Sequence, residues 1–384
     1  MTSAPEVLIF TIDAGGGHRA AADALVAASE ERPRPWHFQV LNLQSLLLSL
    51  DPLKSLGGLT LEEAYNGLLQ RGWTAFMVPM LRVLHGAIAL RQKALSAALA
   101  RHLGERRPAA VVSVMPNFNG VIRDALRATH PGVPFLVLLT DFADFPPHFW
   151  MEPGVDRVIV GSDRAGEQAL EMGIPNERIS RVSGMVLHPR FHRGEGQQLR
   201  SGVRSALGLG PQDFVLLLLF GGKGSAEMEP LATRLLDLSP SWTVIAICGD
   251  NPTLFERLAP LEAAAGGRLR RLGFTDRVGD YMAASDVLIT KSGPGSLAEA
   301  FHQGVPVVVT ANRRTIPQER FNTRFVAERQ LGLVVPHWRE MPPAVARLAQ
   351  DPERLATLRA NIAALPKNRA VYEALEVIGR EIGF

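Results

Sequence analysis

The chain has 384 residues, too many for one ordinary hydrophobic core and enough for two domains of about 180 to 200 residues each. With 46% hydrophobic and 21% charged residues it reads as globular throughout, which excludes a disordered chain, and no run reaches the roughly 20 apolar residues of a membrane span. A formal net charge of +3 is too small to point to nucleic acid, and the single cysteine, Cys248, excludes an intrachain disulfide and a cysteine-rich zinc cage.

Met1–Glu6 lacks a basic stretch ahead of a long apolar core, so no signal peptide is expected, and the cysteine usage suits a reducing cytoplasm. Val7–Ile12 is a short apolar run of the kind buried on both faces of a parallel sheet. Glycines follow, and then an alanine-rich helix over Ala20–Ala28. Residues 41–107 read as leucine-rich helices carrying Arg71, Arg82, His85, Arg91, Lys93, Arg101, His102, Arg106 and Arg107, with Trp73, Phe76 and Met77 among them. An apolar face beside a basic face suits an anionic membrane surface, with Arg82, Arg91 and Lys93 as the membrane-binding candidates. An ordinary domain helix with solvated arginines is the competing reading.

Ala110–Val114, Phe135–Leu139 and Val158–Gly161 read as strands alternating with helices in the βαβ manner. A linker is expected near Leu187–Gln197, where His188-Pro189 and Arg193-Gly194-Glu195-Gly196 break regular structure. The pattern then restarts with strands at Phe214–Phe220, Trp242–Cys248, Asp286–Thr290 and Val305–Val309. Two doubly wound α/β domains follow, over 1–190 and 191–384, and the helical tail from about Pro342 is a candidate to cross back onto the first.

Two loops carry the chemistry. Asp13-Ala14-Gly15-Gly16-Gly17-His18-Arg19-Ala20 joins a buried strand to a helix start, where glycines let backbone amides approach an anion. Its spacing is neither a dinucleotide fingerprint nor a Walker loop. The positive helix end opposes protonation of His18, leaving a neutral imidazole suited to a general base; a packing or capping histidine is the alternative. In Thr290-Lys291-Ser292-Gly293-Pro294-Gly295-Ser296-Leu297-Ala298-Glu299-Ala300, the turn can cradle a diphosphate and Glu299 can accept the hydroxyls of a ribose. Gly221-Gly222-Lys223-Gly224, Leu272-Gly273-Phe274-Thr275 and Ile316–Asn322 lie at further expected carboxyl ends of strands, where open α/β sheets collect ligands. No D-x-D pair or histidine-carboxylate cluster offers a Mg²⁺ site, so neither metal nor cofactor is expected.

These residues resemble the monogalactosyldiacylglycerol synthases and processive diacylglycerol glucosyltransferases, kin of the glycosyltransferase that forms lipid II. Gly15–Ala22 is similar to the family's G-G-G-H-R-A-S-A loop, Tyr65-Asn66 to its Y-N-x-L-L segment, and Thr140-Asp141 with Phe149-Trp150 to its T-D…H-P-x-W stretch. Gly154-Val155-Asp156-Arg157 and Ser183-Gly184-Met185 continue the match, and Thr290–Ala300 is similar to I-T-K-A-G-P-G-T-I-A-E-A. The chain departs from G-Q-E-x-G-N at Pro317-Gln318-Glu319-Arg320-Phe321-Asn322, and in Asp144–Trp150 the histidine is shifted relative to proline.

The resemblance implies a GT-B fold, two Rossmann-like domains facing across a cleft, with the UDP-sugar on the C-terminal domain and diacylglycerol reaching the N-terminal domain from a membrane. It gives His18 the role of base and Asp141 that of orienting the imidazole or binding acceptor. Tyr65 and Trp150 fall on the acceptor side. Gly17, Gly222, Ser292, Gly293, Pro294, Gly295, Ser296 and Asn322 fall on the donor, with Glu299 on ribose, Phe274 and Thr275 near uracil, and Gln318 and Glu319 on the sugar. The expected reaction is inverting transfer of galactose from UDP-galactose to 1,2-diacylglycerol, at the inner face of the cell membrane. UDP-glucose or UDP-N-acetylglucosamine as donor, another lipid or soluble acceptor, a nucleotide-sugar epimerase, and a non-catalytic binding module are the alternatives.

Overall fold

The computed structural model describes residues 4–13, 16–47, 77–145, 148–193, 196–210, 212–313 and 315–384. The chain divides into two compact units, one of Met1–Pro189, Ile316–Gln318 and Asn368–Phe384, the other of Arg190–Thr315 and Glu319–Lys367.

The first unit holds a parallel sheet of β1 (Glu6–Thr11), β2 (His37–Asn42), β3 (Pro108–Ser113), β4 (Phe135–Leu138), β5 (Arg157–Val160) and β6 (Ile179–Arg181), in the order β2-β1-β3-β4-β5-β6. Val7 to Phe10 of β1 are all fully buried, because successive side chains point to opposite faces and both faces are covered. Leu8 and Phe10 pack with Leu99 of the Met77–Gly104 helix and Ile122 of the Asn119–Thr129 helix. Val7 and Ile9 pack with Ala24, Leu25 and Ala28 of the Gly17–Glu31 helix, and in the same cluster lie Val371, Leu375 and Ile378 of the Ala370–Glu381 helix.

The last helix thus completes the core of the first unit, and polar contacts fix it there. The buried Asn368 amide donates to the Met185 carbonyl at 2.9 Å, the Arg369 amide donates to Ser183 Oγ at 2.7 Å, and Glu373 accepts from the Ser183 amide at 2.6 Å. Ser183-Gly184-Met185 is therefore the receiver for the C-terminal segment.

The second unit holds β7 (Phe214–Leu219), β8 (Trp242–Ile247), β9 (Leu269–Leu272), β10 (Val287–Thr290), β11 (Val307–Thr310) and β12 (Gly332–Val335), parallel in the order β12-β11-β10-β7-β8-β9. Strand order reverses between β1 and β3 in the first sheet and between β7 and β10 in the second, the positions where doubly wound sheets open a crevice. Asp286, just ahead of β10, accepts from Arg200 at 2.6 Å, Arg359 at 2.7 Å and the Val215 amide at 2.8 Å, which ties two helices to the strand that carries the donor loop. Cys248 is buried and its thiol is pushed up to about 11 by that burial, so it is inert.

Two expectations change. Residues 41 and 42, expected in a helix, end β2, and among the described residues the helices of that region lie at Leu43–Leu47 and Met77–Gly104. Four strands were not marked as apolar runs in the sequence, β2, β6, β9 and β12, and of these only the carboxyl end of β9, at Leu272, was expected. Among the described residues no helix is long and apolar enough to cross a membrane.

Candidate active site

The loop after β1 ends in Gly16, whose φ of +79° is a left-handed conformation that a side chain would strain, and the Gly17–Glu31 helix starts beyond it without a side-chain cap. His18 stands in the first turn of that helix. Its Nδ1 lies 3.1 Å from Thr140 Oγ1, past the end of β4. Burial lowers the imidazole pKa to about 4, with the Val114 carbonyl acting in the opposite direction. The ring is neutral near pH 7, as the loop implied, and burial is a cause that the loop did not show.

Trp150 lies beside His18, ring centroids 5.6 Å apart and inclined at 57°. The Trp150 indole N–H donates to Asp141 Oδ2 at 2.9 Å, so Asp141 fixes the tryptophan, while Thr140 is the hydrogen-bond partner of the imidazole Nδ1. Trp150 is only 2% exposed and forms a wall next to the base.

That wall rests on a residue the sequence did not single out. Asp144 is fully buried and accepts from the amides of Phe149 at 2.7 Å, Trp150 at 3.0 Å and Met151 at 3.0 Å. Burial pushes its carboxyl above the usual range, and the three amides and His148 hold it down. Gln168 grips its backbone on both sides, accepting from the Asp144 amide at 2.9 Å and donating to the Asp144 carbonyl at 2.7 Å. Asn119 donates to the Trp150 carbonyl at 2.9 Å, and His85 stacks on Phe149 with centroids 4.9 Å apart.

Tyr65, with Ala14 and Gly15 of the glycine loop, lies outside the described residues, and so does the side chain of Arg82. Arg91 and Lys93 are exposed on the Met77–Gly104 helix, where Val83 is 72% and Leu90 88% exposed.

In the second unit the turn after β7 is braced by the loop after β8. The Gly222 carbonyl accepts from the Asp250 amide at 2.7 Å, and Asn251, which caps the Pro252–Arg257 helix, donates to the Lys223 carbonyl at 2.9 Å. After β10, Ser292 Oγ donates to Glu319 Oε2 at 2.8 Å and the fully buried Asn322 donates to the Ser292 carbonyl at 2.8 Å. Ser292, Glu319 and Asn322 are thereby brought together, with Ser292 and Asn322 buried as supports of the turn. Gly293 is extended ahead of Pro294, and the Pro294–His302 helix begins without a side-chain cap, which leaves its first amides, around Gly295 and Ser296, open to an anion.

Glu299 is half-buried, and burial pushes its carboxyl up to about 7 against the pull of Arg190, a cation the sequence did not place here. Phe274, beyond β9, is 77% exposed, and Thr275 Oγ1 beside it accepts from the Arg277 amide at 3.1 Å. The side-chain oxygen of Gln318 is buried without a hydrogen-bond partner among the described residues. No group of three or more His, Cys, Asp or Glu able to hold a metal ion occurs among them.

Two family models match the chain: Monogalactosyldiacylglycerol (MGDG) synthase over residues 18–186, and Glycosyltransferase family 28 C-terminal domain over residues 217–371. The chain is 28% identical to probable monogalactosyldiacylglycerol synthase 2, chloroplastic, of Oryza sativa subsp. indica, over 98% of this chain and 80% of that protein. It is also 28% identical to the processive diacylglycerol beta-glucosyltransferase of Bacillus subtilis (strain 168), over 72% of this chain and 69% of that protein. Among solved structures, MurG of Acinetobacter baumannii superposes with a TM-score of 0.58 at 14% identity, covering 98% of this chain and 99% of that one. That likeness is one of fold, and the fold is GT-B.

Proposed function

The chain belongs to the glycosyltransferase family of the monogalactosyldiacylglycerol synthases and processive diacylglycerol glucosyltransferases, and we propose that it transfers galactose from UDP-galactose to the free hydroxyl of 1,2-diacylglycerol with inversion. The observation that carries this reading is a neutral, half-buried His18 oriented by Thr140 and backed by Trp150. A base must be unprotonated before it can accept the acceptor's proton.

His18, Thr140 and Trp150 belong to the first unit, and the Pro294–His302 helix, Glu299 and Phe274 to the second. The ring nitrogen not engaged by Thr140 takes the hydroxyl proton as the oxygen attacks the anomeric carbon. The bond from that carbon to the diphosphate breaks on the opposite face, and its electron pair leaves with UDP. The open amides at the start of the Pro294–His302 helix and the Gly221–Gly224 turn meet that charge without a metal ion. Glu299 receives the ribose hydroxyls, and Phe274 offers a face for uracil.

Diacylglycerol stays in the bilayer, since each acyl CH₂ moved to water costs about 0.8 kcal/mol. The enzyme therefore docks peripherally on an anionic membrane, on the cytoplasmic side. Val83 and Leu90, apolar and exposed seven residues apart on one helix, together with Arg91 and Lys93, supply the required chemistry.

Glucose as the donor sugar is the second reading, favoured by equal identity to the Bacillus glucosyltransferase. Purified protein incubated with UDP-galactose, UDP-glucose or UDP-N-acetylglucosamine, with and without diacylglycerol vesicles and with EDTA or Mg²⁺, tests the assignment through released UDP. Release that needs both UDP-galactose and diacylglycerol and survives EDTA supports it. Release that is independent of diacylglycerol contradicts it.

A further inference from the structure

One side chain at the donor loop is so far without a role. Lys291 follows β10 directly, in the crevice where strand order reverses between β7 and β10. A Cβ built on Gly221, at the end of β7, would meet Lys291 Cε at 3.2 Å and Nζ at 3.4 Å, and one built on Gly293 would meet Cε at 3.7 Å. The end of the lysine thus lies over both glycine turns. Gly221 has a φ of +79°, so glycine there serves the turn and also clears the path of the lysine.

Lys291 is exposed, and its ammonium has no ion-pair partner among the described residues. Glu319 Oε1 comes within 3.6 Å of the same Gly293 Cβ position, but that carboxylate accepts from Ser292 through its other oxygen. Thr290, immediately before Lys291, and Asn322, bonded beneath Ser292, each bury a side-chain oxygen without a partner.

We infer that Lys291 is a catalytic residue of the donor site: its ammonium contacts the diphosphate and stabilises the charge that collects there as the sugar departs. The inference rests on the proposed donor reading. A nucleoside diphosphate sugar carries two negative charges on its phosphates, and breaking the bond to the anomeric carbon leaves the electron pair on the β-phosphate oxygen, adding a third. Neutral amides orient such a group, whereas a lysine supplies a full positive charge and three donors to phosphate oxygens. The advantage grows as the third charge develops, so the lysine acts on turnover more than on ground-state binding.

The test uses the full chain as wild type, Lys291→Met and Lys291→Arg, titrated by calorimetry with uridine, UDP and inorganic pyrophosphate, together with turnover at saturating acceptor. Lys291→Met should weaken UDP and pyrophosphate by about ten- to a hundredfold, leave uridine unchanged, and lower kcat more than it raises KM for the donor. Lys291→Arg should restore most of the loss. Because Lys291 is exposed, both variants should melt with the wild type. Unchanged UDP and pyrophosphate affinities with unchanged turnover in Lys291→Met would overturn the inference. Pyrophosphate binding that depends on Lys291, in a protein that takes neither UDP nor uridine, would remove the nucleotide reading and leave Lys291 as a diphosphate ligand. A wild type that binds neither UDP nor pyrophosphate overturns both.

Discussion

Nδ1 of His18 and the hydroxyl of Thr140 lie 3.1 Å apart, joining the helix after β1 to the loop after β4. The contact fixes the ring without placing a carboxylate on it. A hydroxyl orients an imidazole but adds no negative charge to stabilise its protonated form, and burial therefore governs the titration.

Replacing His18 with alanine should lower turnover by roughly 10² to 10⁴ and leave UDP affinity within a few-fold, the range for removal of a general base. Steady-state kinetics and calorimetry on the same preparation check both. In the wild type the acid limb of kcat/KM assigned to this ring should fall near pH 4 rather than 6.5. The linkage has a matching sign: between those values the unfolded chain binds a proton that the folded chain refuses. The stability contributed by this site is thus complete above pH 6.5 and is lost as pH falls toward 4.

Glu299 should give UDP binding a pH dependence of its own. The carboxyl holds its proton up to about pH 7 in the free protein, and ribose hydroxyls donate best to the ionised form, so UDP affinity should rise as pH passes through 7. Glu299→Gln should flatten that dependence and weaken UDP by about 1 to 3 kcal/mol at pH 8. Equal UDP affinities for both proteins at pH 8 would take Glu299 out of the site.

Asp144→Ala leaves three buried amides, those of Phe149, Trp150 and Met151, without their acceptor. At about 1 to 3 kcal/mol for each orphaned group, urea unfolding should show a loss of at least about 3 kcal/mol. Asp144→Asn, which keeps one acceptor oxygen, should lose less. A loss under 1 kcal/mol in the alanine variant would mean that the loop carrying Trp150 is held by other contacts.

Much of this arrangement was legible in the sequence, and the omissions have a common physical origin. The eight strands expected from apolar runs are the interior strands of the two sheets, whose two covered faces demand such runs; the four not marked by such a run, β2, β6, β9 and β12, are the four edges. Edge strands are partly solvated, and β9, Leu-Arg-Arg-Leu, shows how little apolar signal remains. Glycine turns marked His18 and Glu299, because close backbone approach restricts residue choice locally. Asp144, Thr140, Arg190 and Lys291 take their roles from partners distant in the chain or from burial, and neither is written in local spacing.

The membrane face is open to a direct test. Changing Arg82, Arg91 and Lys93 together to glutamate should release the protein from anionic vesicles, at about 1 kcal/mol for each basic residue lost, and leave UDP binding intact. Wild-type association should rise with anionic lipid and fall with salt. Equal sedimentation of variant and wild type, or equal binding to neutral vesicles, would make the basic face solvated surface and favour a soluble acceptor.

The most direct measurement is the identity and anomeric configuration of the lipid formed from UDP-galactose and 1,2-diacylglycerol, read by mass and NMR. Attack from the face opposite the diphosphate, with His18 as base, predicts a single β-linked monogalactosyl lipid from the α-configured donor, absent with His18→Ala. An α-linked product, or hydrolysis of UDP-galactose with no glycolipid formed, would contradict the proposed reaction.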